Sequence, residues 1–154
     1  MDRRKFFKGV GLVAFAAIVA PTTNLNAVDF RATKPEAWEV EKTVDGIKAL
    51  FGNGAVEQSD KISFKAPKLA ENGGSIPITV KSKLDLESIA LFQDANPRCL
   101  SCVFSVPTGA IIEYDFRIKM RQTAFVTVVG KERGTGKLYS ATKEIDVSIG
   151  GCGG

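Results

Sequence analysis

Three cysteines are the residues in this sequence with chemistry to offer, and they fall in two settings. Cys152 sits near the end of the chain between two pairs of glycines, Gly150-Gly151 and Gly153-Gly154. Glycine has no side chain to pack and loses the most backbone freedom on ordering, so such a stretch adds nothing to a core. It reads as a flexible lead that carries a thiol away from the body. Cys99 and Cys102 are spaced as Cys-x-x-Cys in "NPRCLSCVFSV". A haem-attachment reading fails because Val103, not histidine, follows, and a redox pair of thioredoxin type opens a helix, whereas β-branched and aromatic residues follow here. On a regular strand an odd separation of three points the two side chains to opposite faces. A local disulfide therefore needs a turn or bulge, for which Asn96-Pro97-Arg98 offers the residues; reduced or partly buried thiols are the other readings.

The chain contains no histidine. Histidine general acid–base catalysis, a Cys-His nucleophile pair within the chain and His ligation of a metal are thereby excluded. Near its ordinary pKa of about 8.5 a lone cysteine is only a few per cent thiolate at neutral pH. The nearest charges in sequence to Cys152, Asp146 and Glu144, are acidic and oppose ionisation. Such a thiol needs a partner's site to activate it. No cofactor, metal cluster or phosphate-binding loop is expected.

Residues 1–27 read as an export signal and stand apart from the fold. Arg3, Arg4, Lys5 and Lys8 precede an apolar run, Gly9 to Ala20, that ends at Pro21. That run is shorter than the ~20 residues a membrane-spanning helix needs. Arg3-Arg4 with Phe6, Phe7 and Lys8 resembles a twin-arginine signal, with Asp2 and Phe7 off the usual pattern; a plain secretory signal or an uncleaved anchor is the alternative. Cleavage is expected near Val28, placing the mature chain in the periplasm. Setting these residues aside removes four of 21 basic and one of 17 acidic side chains, leaving a net charge of +1. Neither nucleic acid nor a membrane surface is an expected partner.

The remaining chain must position the thiols. "TKPEAWEVEKTVDGIKALFGNG" reads as one helix, with Thr33 and Glu36 at capping-box spacing, Ala37, Val40, Val44, Ile47 and Phe51 forming a stripe, and Gly52 as the stop. From there the period is two: Ile62, Phe64 and Ala66; Ile76, Ile78 and Val80; and Ile112 to Met120 in "IIEYDFRIKM". Further runs at 88–92, 100–106, 124–129, 137–141 and 143–149, separated by turn residues, bring the count to seven or eight strands. That spacing predicts an immunoglobulin-like antiparallel β-sandwich over residues 28–149 with one N-terminal helix, followed by an arm at 150–154.

The ending "GKLYSATKEIDVSIGGCGG", with "LAENGGSIPITV", "SIALFQDANP" and "RIKMRQT" upstream, resembles the SoxY family, the sulfur-carrier subunits of periplasmic Sox thiosulfate oxidation. The resemblance spans nearly all of the mature chain. It implies a β-sandwich, a heterodimer with a SoxZ-type β-domain, and covalent attachment of sulfur intermediates at Cys152. It also implies transient visits to three partners: a haem-containing enzyme that joins thiosulfate to the thiol, a hydrolase that releases sulfate, and a dehydrogenase that oxidises the remaining sulfane sulfur. Such a protein is a carrier without catalysis of its own. The cysteine pair at 99 and 102 departs from the family pattern. Rival readings are a thiocarboxylate donor at Gly154, a thiol–disulfide oxidoreductase using Cys99 and Cys102, and a sandwich crosslinked through its tail.

Overall fold

The computed structural model describes residues 28–148; the expected export signal and the arm, with Cys152 and Gly150, Gly151, Gly153 and Gly154, lie outside the described residues. The chain opens with a short helix α1 (Phe30–Thr33), a 3-10 turn (Pro35–Trp38) and a helix α2 (Thr43–Phe51). Nine strands follow: β1 (Val56–Gln58), β2 (Ile62–Lys65), β3 (Leu69–Ala70), β4 (Ile76–Ser82), β5 (Leu86–Gln93), β6 (Leu100–Ser105), β7 (Ile112–Ile118), β8 (Ala124–Glu132) and β9 (Leu138–Val147). One sheet runs β1-β9-β8-β5-β6, with β3 also on β9, and the other runs β2-β4-β7. The two enclose a core that includes Ile62, Phe64, Ile78, Ile89, Leu91, Val128 and Ile145.

The expected sandwich is present. Its principal pairings are antiparallel, and β1 and β3 add to β9 in parallel. Neither short strand has a periodic apolar pattern, and every residue of β1 is exposed, so hydrophobic alternation could not announce them.

The single helix expected over Thr33–Phe51 is broken twice. Asp29, not Thr33, caps α1, its Oδ1 accepting from Arg31 N (3.0 Å) and Ala32 N (3.1 Å). Thr33 Oγ1 instead donates back to the Asp29 carbonyl at 2.8 Å. Lys34 precedes a proline, which disfavours the helical region, and it adopts φ −138°, ψ 54°. The second break frees the Val40 carbonyl to accept from Cys99 N at 3.0 Å, and α2 then starts where Thr43 N donates to Asp94 Oδ1. The apolar stripe shifts with the break: Val44 is 62% exposed, while Gly46 and Leu50 are buried.

These helical pieces cover the outer face of the large sheet and make a second apolar cluster from Ala37, Leu50, Ala90, Phe92, Cys99, Leu100, Val129 and Leu138. With both faces covered, β5 is buried almost continuously, as strands sandwiched between two layers are. The same layering explains why the runs 137–141 and 143–149, read as two strands, are one. Leu138 faces the helices, whereas Ile145 and Val147 face the sandwich core. The buried parity changes because the outer cover ends, not because the strand does. Register against β8 continues from Lys131↔Leu138 to Ala124↔Ile145.

Candidate carrier arm root and the two body thiols

The strand leading to Cys152 is held to its last described residue. Val147 N donates to Thr123 Oγ1 (2.9 Å), Asp146 N to the Lys68 carbonyl (2.9 Å) and Ser148 N to the Ala70 carbonyl (3.0 Å). Ile145 is fully buried and Val147 nearly so. Gly73 lies against this root: a Cβ there would come within 2.8 Å of Val147 Cγ1 and would also strike the Met120 carbonyl. Its amide neighbourhood is tied as well, since Met120 N donates to the Gly73 carbonyl at 2.8 Å. Asn72-Gly73-Gly74 reads in sequence as a turn; the close approach of two other segments gives its central glycine a second reason. Thr123 and the Lys68–Ala70 segment were not legible as anchors, because neither carries a motif and both act through backbone partners.

The structure separates Cys99 from Cys102. Cys99 has 0% exposure and packs in the helix-side cluster. Its N–H donates to Val40, and its carbonyl accepts from Gln93 N at 2.9 Å. Burial pushes its thiol pKa up, and the negative charge of Asp94 adds to that. Cys102, opposite Leu91 on β6, is partly buried against the sandwich core on the other side of the sheet. Burial pushes its thiol up to about 12. Among the described residues both are free thiols. The disulfide entertained for this pair is therefore not formed: the strand is bulged between Leu100 and Cys102 and does not alternate regularly, and Cys99, just before β6, packs into the helix-side cluster while Cys102 packs against the sandwich core. Neither sits at a helix start, and neither is ionised near neutral pH, so the geometry suits packing and not thiol exchange.

Among the described residues no group of three or more His, Cys, Asp or Glu side chains could hold a metal ion, and no helix is long and apolar enough to cross a membrane. At one end of the sandwich, between β6 and β7, lies an open groove of about 480 Å³ walled by Arg98, Arg117 and Lys119. Arg117 and Lys119 are neighbours on one face of the alternating run, but Arg98 comes from a distant segment, so no charge run marked the three together.

The sequence matches the family model for sulfur oxidation protein SoxY over residues 47–152, a segment that reaches Cys152. Among solved structures, the sulfur carrier protein SoxY from Chlorobium limicola f. thiosulfatophilum superposes with a TM-score of 0.62 at 33% identity, covering 77% of this chain and 99% of that one. A superoxide reductase (neelaredoxin) from Ignicoccus hospitalis superposes with a TM-score of 0.54 at 14% identity, covering 60% of this chain and 95% of that one; that likeness is one of fold. No curated protein matches the sequence.

Proposed function

This chain belongs to the SoxY family and is a sulfur carrier of sulfur oxidation, and from that premise we propose that Cys152 is the covalent attachment point, presented to partner enzymes on a glycine arm in the periplasm. The observation that carries this reading is the state of the other thiols. Cys99 and Cys102 are held protonated by burial on opposite faces of a sheet, which leaves Cys152 as the cysteine placed to react. Its strand is tied down as far as Ser148. The glycines beside it remove every Cβ from the approach, so the thiol can enter a narrow site.

The proposed cycle balances as follows. The Cys152 thiolate and the outer sulfur of thiosulfate are joined with loss of two electrons to a haem-containing partner, giving Cys–S–S–SO3−. Water attacks the terminal sulfur in a hydrolase partner. Sulfate and two protons leave, and the persulfide Cys–S–S− remains. A dehydrogenase partner oxidises the outer sulfur with three waters, six electrons and six protons being lost, to give Cys–S–SO3−. A second hydrolysis releases sulfate and returns the thiolate. The carrier supplies the attachment atom and its delivery; activation and redox chemistry come from the partners. A SoxZ-type β-domain is the proposed heterodimer partner, and residues 1–27 the proposed twin-arginine export signal.

Cys152→Ser tests the assignment. The substitution removes the arm's only sulfur and leaves the sandwich intact. An unchanged melting temperature with complete loss of thiosulfate-dependent turnover in the reconstituted system is expected. Continued turnover would show that the sulfur is carried elsewhere.

A further inference from the structure

Two Asn-Gly dipeptides lie among the described residues, Asn53-Gly54 and Asn72-Gly73. This dipeptide carries chemistry of its own. The glycine amide nitrogen, giving up its proton to base, attacks the side-chain amide carbon of the preceding asparagine. Ammonia leaves and a five-membered succinimide forms. Water then opens the ring at one carbonyl or the other, giving aspartate or isoaspartate. One water enters and one ammonia departs, with no oxidant and no cofactor. Glycine favours the attack because no Cβ flanks its nitrogen and its backbone turns freely. What decides the rate is whether the nitrogen and the amide carbon are free to meet.

The fold treats the two copies differently. Asn53-Gly54 crosses from α2 to β1, beyond the Gly52 cap, whose N–H donates to the Lys48 carbonyl at 2.8 Å. Both residues are exposed. Among the described residues no hydrogen bond holds the Asn53 side chain or the Gly54 N–H. Asn72-Gly73 is held on every side. Asn72 Oδ1 accepts from Gly74 N at 2.8 Å and the Asn72 carbonyl from Ser75 N at 3.2 Å, an Asx-type turn. The Gly73 carbonyl accepts from Met120 N at 2.8 Å, and its Cα is wedged between the Met120 carbonyl and Val147. Closing the ring there means turning the Gly73 peptide and breaking these contacts together.

We propose that Asn53-Gly54 is a spontaneous modification site of the native protein, converting to aspartate and isoaspartate, and that the fold shields the identical dipeptide at the arm root. Isoaspartate adds an atom to the backbone. At Asn72 that atom would push Gly73 off Met120 and Val147 and loosen the strand leading to Cys152. At Asn53 it falls in an exposed connection. The new carboxylate there stands just past the C-terminus of α2, where negative charge opposes the helix dipole. It also takes the mature chain from a net charge of +1 to zero, a condition that favours self-association.

The test ages the full mature chain in mildly alkaline buffer, with and without urea. Trypsin places the two sites in different peptides, 49–61 and 69–81. Mass mapping follows each site by its amide-to-acid mass gain, an isoaspartyl methyltransferase labels the isoaspartate, and an unaged sample digested in parallel gives the background. In the native chain Asn53 is expected to convert on the order of tenfold faster than Asn72, because the root must open before its ring can close. In urea the two rates are expected to converge, since the reacting dipeptide is the same. Conversion of Asn72 within about twofold of Asn53 in the native chain would overturn the proposal. So would a gap that persists in urea, which assigns the difference to flanking sequence, or a native Asn53 that stays intact while the urea sample reacts. None of these outcomes involves Cys152, so the carrier reading is tested separately.

Discussion

Thiol reactivity in the native chain offers the sharpest measurement, because burial holds the Cys102 thiol protonated, whereas a thiol carried on an exposed arm titrates near its ordinary value. Take alkylation by iodoacetamide at pH 7.5. An exposed thiol with a pKa near 8.5 is about one-tenth thiolate there. With its pKa pushed up to about 12, Cys102 is thiolate in only about three molecules per hundred thousand, roughly 3,000-fold less. The more basic thiolate is also the stronger nucleophile. A Brønsted coefficient of about 0.45 over some 3.5 pK units returns roughly 40-fold. Ionisation wins, and Cys152 should be labelled about two orders of magnitude faster than Cys102, before any steric barrier from packing is counted.

The pH profile separates protonation from access. Labelling of Cys152 should level off just above pH 8.5, while that of Cys102 should keep rising about tenfold per pH unit beyond 9. Peptide mapping by mass spectrometry after timed quenching resolves the sites. The linkage sign limits the range. A folded-state thiol pKa raised from 9.0 to about 12 favours the neutral form in the fold, so its stability contribution is complete below about pH 9 and is lost as pH rises toward 12. Profiles should therefore stop near pH 10. Cys102 labelled within tenfold of Cys152 at pH 7.5, or a Cys102 plateau below pH 10, would refute the reasoning.

Two further perturbations address the packing and the arm. In Gly46→Ala the new Cβ would lie 2.5 Å from Cys99 Sγ and 3.1 Å from the Phe92 ring; overpacking of about 1–3 kcal/mol outweighs the ~1 kcal/mol that alanine gains over glycine in a helix. Chemical denaturation should show net destabilisation of up to about 2 kcal/mol, much of it relieved in a Cys99→Ala background, with loading of Cys152 unchanged. Gly150→Pro with Gly151→Pro fixes two φ angles near about −65°. Alkylation by a small reagent should stay normal while enzymatic loading falls sharply, and equal loading would show that arm flexibility is not what the glycines provide.

How much of this was legible in the sequence depended on whether a residue acts through pattern or through a partner. The alternation Ile112–Met120 predicted its strand because one face is buried and the other is wet. The parity change along Leu138–Val147 misled, because the outer cover over Leu138 comes from helices far away in sequence. The helix break at Lys34 was available from Pro35. The break at Val40 was not, because its cause is a backbone bond to Cys99 across the fold. The chemistry of Cys152 was legible because five residues of unusual composition carry it. That Arg117 and Lys119 share a face followed from the same alternation, but the approach of Arg98 to them was not legible, since only the meeting of two sheet edges brings it there.

The departure of Cys99 and Cys102 from the family pattern bears on the carrier role through this same geometry. Extra thiols on a sulfur carrier are a hazard, because an accessible thiolate attacks a loaded persulfide or thiosulfonate and steals or reduces its cargo. Exchange rates follow thiolate fraction and access, and the fold suppresses both at these positions. Cys99 fills the space that Gly46 leaves open under α2, and Cys102 turns into the core on the opposite side of the sheet. The added sulfur is spent on packing, where it behaves as a small hydrophobe, and the two side chains are kept from pairing with each other. A substitution that exposed Cys102, such as Phe116→Ala beside it on the groove wall, should therefore shorten the lifetime of the Cys152 adduct in the absence of added reductant, and Cys102→Ala in that background should restore it. If the adduct survives equally long with Cys102 exposed, shielding of the body thiols is a packing outcome with no bearing on cargo.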